Sequence, residues 1–165
     1  MKTTYTRKQL EDLIDGKLPF KNLHRMMSNF KDADRFDRMV EILQDRVPWD
    51  DRILLPYGLH LYIVQKADGA RVVKCDCGHE FGDYRENWKL SAEIFVRETD
   101  KLYREIYPKM LHAMPEWMVI REFYCPGCQT LLEAEAVPPG YPIIFDFLPD
   151  LETFYGDWLG RELPK

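Results

Sequence analysis

The sequence predicts an α+β protein: N-terminal helices, then small antiparallel hairpins with a zinc-ribbon-like four-cysteine site, then an extended C-terminal arm. Three observations predict it. Apolar residues recur at spacings of three and four before Pro48, and β-branched and aromatic runs separated by turn residues fill the stretch from His60 to Val137. The cysteines fall in two tight pairs, Cys75/Cys77 and Cys125/Cys128. The 165 residues read as one domain over 1–165: mainly helical over 1–50, strand-rich and zinc-binding over 53–137, arm and short helix over 138–165.

The elements follow in order. Thr6 with Gln9 fits a capping box, Leu10, Leu13 and Ile14 form a short apolar stripe, and Gly16 suits a helix stop. A stronger helix is expected from Asp32 or Asp34. Its residues Phe36, Met39, Val40, Leu43 and Val47 share a face, and Pro48, which has no amide donor, ends it. Strands are expected at His60–Gln65 and Arg71–Cys75, flanking the turn pair Asp68-Gly69, and again at Glu93–Arg97. Thr99–Leu111 reads as a helix with Leu102, Ile106 and Met110 spaced by four. Two more strands, Trp117–Tyr124 and Thr130–Val137, flank the second cysteine pair. Residues 138–149, rich in proline and aromatics, read as an arm lying against something apolar, capped by a helix near Leu151–Leu159.

Each cysteine pair sits where a strand ends in a tight turn. Two thiolates from one turn, beside a glycine that lets backbone amides point at the sulfurs, are what a zinc knuckle needs. Cys75, Cys77, Cys125 and Cys128 are therefore the expected ligands of one structural zinc, a closed tetrahedral shell that leaves no position for water or substrate. The first knuckle has one intervening residue instead of two, so His79 stands as an alternative ligand to Cys75 or Cys77. A rubredoxin-like iron site would use the same four sulfurs. A redox Cys125-Pro-Gly-Cys128 dithiol leaves the first pair unexplained, and disulfides are disfavoured in a reducing compartment.

Composition narrows the function classes. No apolar run approaches the length of a membrane span, and the first residues lead into no signal-peptide core, so a cytoplasmic location is expected. A net charge of −5 without any basic run disfavours nucleic acid as a partner. Aromatic residues at 13%, with four tryptophans and 11 prolines, exceed what a small core hides and point to surfaces covered by a partner protein. His24, His60 and His112 have no metal-ligand spacing. Glu133 and Glu135 alternate as solvent-facing charges do, and Asp50 and Asp51 beside Trp49 make a poor acid/base pair. With no phosphate loop or nucleophile elbow, no catalytic residue is expected on this chain. A structural subunit, a free-standing zinc-ribbon adaptor and a small redox protein are the competing classes.

Seven segments in order carry a resemblance: Leu13–Lys17, Glu41–Asp51, Cys75–His79, Asn87–Ala92, Arg121–Cys128, Asp146–Asp150 and Trp158–Gly160. Over nearly its whole length the chain resembles the small gamma subunit of acetone carboxylase. The resemblance implies a hetero-hexamer with large alpha and beta subunits that carboxylates acetone with bicarbonate to acetoacetate, converting ATP to AMP and phosphate. It further implies manganese and ATP on those partners and a structural zinc here, away from the chemistry. A gamma-type subunit of a related, acetophenone-like ketone carboxylase is the alternative.

Overall fold

The computed structural model describes residues 5–108 and 111–164. The fold is α+β, with the elements in the expected order. Helix α1 (Arg7–Ile14) opens on the capping box: the Thr6 side chain accepts from the Gln9 amide, and the Gln9 side chain accepts from the Thr6 amide at 2.9 Å. It stops at Gly16, whose φ of +67° falls in the left-handed region glycine tolerates. A short helix α2 (Phe20–Ser28) follows, where the sequence shows no clean apolar stripe and no cap. Helix α3 (Arg35–Gln44) ends four residues before Pro48. The Gln44 side chain takes over there: its amide donates to the carbonyls of Trp49 and Asp51 and its carbonyl accepts from the Ile53 amide at 2.9 Å, turning the chain into the first strand.

Two antiparallel meanders form the β part. The first sheet runs β1 (Arg52–Pro56), β2 (Leu61–Gln65), β3 (Arg71–Cys75), β4 (Glu80–Asp83), and the second runs β5 (Glu93–Arg97), β6 (Val119–Tyr124), β7 (Leu131–Val137). Strand β2 is buried at every residue because both of its faces are covered. Ile53, Tyr62, Val64 and Val72 meet Val40, Leu43, Val47 and Trp49. On the other face Leu61, Ile63, Val73 and Phe81 join Phe123 and Leu132 of the second sheet, with Leu151 and Tyr155 of the C-terminal helix. The single stripe expected on α3 is thus divided: Val40, Leu43 and Val47 serve the sheet, while Met39 packs with Leu10, Met26 and Ile42 among the helices.

Two expectations fail locally. A helix over 99–111 does not form; α4 covers Asp100–Tyr103 alone. The Arg97 guanidinium donates to the Leu102 carbonyl at 3.0 Å, the turn tightens through Glu105, and Pro108 lacks an amide, so the ladder is cut. Met110 lies outside the described residues. The strand expected from Trp117 starts at Val119, since Trp117 and Met118 close a turn on Met114. The final helix is in place as α5 (Leu151–Thr153), capped by Asp150, and continues as one π turn over Phe154–Trp158, with the Leu159 amide bonded to the Phe154 carbonyl. No helix among the described residues is long and apolar enough to cross a membrane.

Residues 138–149 are extended, as expected, but the apolar surface they lie on is the chain's own. Ile143 packs on the main core, and the Asn87 side chain and the Arg121 guanidinium donate to the carbonyls of Ile143, Tyr141 and Pro142. Lys89 explains the rest. Its side chain, 2% exposed, lies over the Phe123 ring and pairs with Glu133 at 2.5 Å, Glu135 at 3.5 Å and Asp146 of the arm. Glu133 and Glu135 are therefore not solvent-facing charges. They share the inner face of the second sheet with Phe123 and Arg121, as the register Arg121↔Glu135 and Phe123↔Glu133 dictates.

Candidate metal centre

The two cysteine pairs occupy the hairpin turns β3–β4 and β6–β7, one from each sheet. The four Sγ atoms lie within 4.8 Å of one another. Cys75 faces Cys128 at 3.8 Å and Cys77 faces Cys125 at 3.7 Å. Those separations are far beyond a disulfide bond of about 2.05 Å. They match the edge of a tetrahedron around zinc, about 3.8 Å for a zinc–sulfur bond of about 2.3 Å. The donor set and its geometry fit one tetrahedral metal ion, so the four cysteines are positioned to bind one.

The short first knuckle closes in the same way as the longer second one. In the first, the Cys75 amide donates to the His79 carbonyl at 2.9 Å and the Gly78 amide to the Cys75 carbonyl at 2.9 Å. In the second, the Cys125 amide donates to the Thr130 carbonyl at 3.0 Å and the Gln129 amide to the Cys125 carbonyl at 2.8 Å. The residue after the second cysteine has positive φ in both, Gly78 at +98° and Gln129 at +59°. One residue fewer is absorbed without losing either bond. His79 lends its backbone to this closure and packs its ring edge-on against Phe81 at 4.9 Å, while Cys75 stands in the sulfur cluster.

Gly127 is required by crowding. A Cβ there would stand 3.0 Å from the His79 Cβ and 3.3 Å from the Cys77 sulfur, so the two knuckles interlock through a bare backbone.

The electrostatics divide the site. Cys75 and Cys125 are buried in the main core, and burial pushes both thiols up; for Cys125 the amides of Gly127 and Cys128 pull the other way. Cys128 is exposed, and the hydroxyl and amide of Thr130 lower its thiol to about 7. A cation bound among the sulfurs would favour the thiolates of Cys75 and Cys125, which burial alone opposes.

Further residues hold the site although nothing in their spacing announces it. The Trp49 indole Nε1 donates to the carbonyls of Cys75 at 3.2 Å and Asp76 at 3.1 Å, bracing the first knuckle from the helical side. Lys74 lies over the Trp49 ring and pairs with Asp51 at 2.5 Å, so Asp51 serves a structural ion pair. His60 meets Asp76 at 2.5 Å and His112 stacks on Tyr103. The Phe81, Trp88 and Phe123 rings then run edge-to-face from one sheet to the other beneath the sulfurs.

Fold and site together define an α+β protein of zinc-ribbon-like type, in which four cysteines from the hairpins of two separate sheets are positioned to bind one metal ion. Comparison with known proteins specifies the family. The family model for the acetone carboxylase gamma subunit matches residues 47–159. An acetone carboxylase gamma subunit from Xanthobacter autotrophicus is 51% identical over 162 residues, spanning 98% of this chain and 96% of that protein. The chain belongs to the acetone carboxylase gamma subunit family. An acetophenone carboxylase beta subunit from Aromatoleum aromaticum is 32% identical over 80 residues, covering 47% of this chain and 62% of that protein.

Proposed function

We propose that this chain, folded as one unit over 1–165, is the structural zinc subunit of an ATP-dependent acetone carboxylase. Its partners are large alpha and beta subunits, two copies of each chain forming a cytoplasmic hetero-hexamer that converts acetone and bicarbonate to acetoacetate. The observation that carries this reading is the convergence of four sulfurs in a chain alike, over nearly its whole length, to an acetone carboxylase gamma subunit. Cys75, Cys77, Cys125 and Cys128 hold the zinc, which supplies cross-linking between hairpins and no open coordination position. ATP and manganese bind to the partners.

The reaction requires both the ketone enol and bicarbonate to be activated by phosphorylation, and carboxyphosphate must be kept from water. This chain encloses or braces that sheltered route without contributing a reacting group. The arm supports the idea: Lys89, Arg121 and Asn87 pin one side of it to the body, while Tyr141, Ile144, Phe147 and Leu148 stay exposed on the other. Deleting 138–149 is expected to weaken assembly or to uncouple ATP hydrolysis from carboxylation. Normal assembly and coupling would remove the bracing role.

Purification of the tagged chain from its host, with mass spectrometry of co-purifying chains and metal analysis, tests the whole reading. Two large subunits and about one zinc per chain are expected. A lone monomer would sink the subunit assignment, and a coloured ferric thiolate spectrum would replace zinc by iron.

A further inference from the structure

We infer that helix α2 is a docking element: its outer face inserts into an apolar groove with an acidic rim on one of the large partner subunits. The inference rests on the subunit reading above and names the face used. Helix α2 has nine residues, no side-chain cap at its N-terminus and one buried side chain, Met26. Uncapped helices this short do not hold themselves in water, and their stability has to come from packing. The chain's own body covers only the side bearing Met26.

The opposite side is apolar. Phe20 is 78% and Met27 76% exposed, seven residues apart and so on one face, with the His24 ring beside Phe20 between them. Phe30, just beyond the helix, is 98% exposed. An exposed run of this kind marks an interaction site when it is rimmed by polar groups, and here the rim is of one sign. Lys21 and Arg25, four apart, flank the stripe, and Lys31 follows Phe30; among the described residues none of the three is in an ion pair. Residues 16–31 carry four positive charges (Lys17, Lys21, Arg25, Lys31) and no acid, so the rest of a chain of net −5 carries −9.

That contrast chooses the occupant. A second copy would set the positive strip against itself, because a two-fold contact uses the same patch on both chains. An anionic membrane would attract the strip but repel the acidic remainder, and the helix offers it only three apolar anchors. A groove with carboxylates at its rim satisfies the stripe and the strip at once, and such complementarity steers association.

Full-length chain binding to the purified large subunits, followed by sedimentation velocity, is the test, with F20S/M27S and K21E/R25E as variants. Circular dichroism and zinc content serve as controls for folding. Loss of the two apolar anchors is expected to weaken binding roughly thirtyfold, the scale of one strong interface anchor. Charge reversal is expected to weaken it at least about tenfold and to abolish the fall of affinity with added salt. In the assembled wild type, α2 amides should gain protection from hydrogen exchange. Wild-type affinity in both variants overturns the inference and leaves the subunit reading standing. Failure of the wild type to bind any large subunit overturns both. Self-association of the lone wild type lost in F20S/M27S, or binding to phosphatidylglycerol vesicles lost in K21E/R25E, assigns the face elsewhere and overturns it too.

Discussion

Lys89 is the residue whose removal most directly tests how the arm is held. Its ammonium is buried and surrounded by Glu133, Glu135 and Asp146. Burial alone would depress its pKa, but hydrogen bonds to Asp146 and Glu133 outweigh that and hold it above the ordinary lysine range. Removing one partner of a fully buried pair costs about 3–5 kcal/mol, because a charge is left stranded. The K89M variant strands less. Asp146 is 54% and Glu133 36% exposed, so both carboxylates can regain water, and Glu135 keeps Arg121 at 2.7 Å. We therefore expect a loss of about 2 kcal/mol, which for a chain of this length lowers Tm by about 4–8 °C.

Differential scanning fluorimetry at neutral pH reads the shift, and limited proteolysis should cut first within 138–149. Restoring charge balance with K89M/E133Q should recover part of the loss. Because the folded pKa is raised, the wild-type contribution is complete below the unfolded lysine pKa of about 10.4 and disappears as pH rises through the higher folded value. Equal stability of K89M and wild type across that range would refute the clasp.

Other perturbations address the metal centre and one surface pair. Replacing Trp49 by Phe removes the donor to two knuckle carbonyls; zinc affinity measured by chelator competition should fall about 10- to 100-fold, and unchanged affinity would show that the indole bond does not orient the knuckle. The G127A variant forces His79 or Cys77 aside, so metal content after purification should drop while far-ultraviolet dichroism of the sheets persists. Full metal occupancy in G127A would contradict the interlocking. Hydrogen bonding from the Arg85 guanidinium holds Asp83 at about 2. Its contribution to stability is present above the unfolded value of about 3.9 and is lost as pH falls towards 2. Carboxyl-carbon NMR should show that low midpoint and its return towards 3.9 in R85Q; a wild-type midpoint near 4 would exclude the pair.

Several of these residues show how far local reading extends. The capping box at Thr6 and Gln9, the stop at Gly16, the strands β2, β3, β5 and β7 and the extended arm follow from propensity and patterning, which act between near neighbours. Helix α2 escaped because its apolar residues lie on two faces, only one of which the chain itself covers. Strand β4 is four residues long with Gly82 inside it, and β1 ends on Pro56; both residues weaken a strand signal. The helix expected over 99–111 failed because the Arg97 guanidinium takes the Leu102 carbonyl and Pro108 offers no amide, neither of which a period-four pattern registers.

Sequence alone picked out the candidate donors, thiols in two turn-borne pairs with His79 as an alternative, and these limit the chemistry whatever the fold. It could not determine that the pairs come from different sheets, that Cys75 faces Cys128 and Cys77 faces Cys125, or that Trp49 braces the first knuckle. Nor could it show that Glu133 and Glu135 turn inward to Lys89. Each of those facts joins residues far apart in the chain, at distances decided by how the two sheets share one core. Burial, which changes the meaning of a charge or a thiol, exists only once that core is assembled.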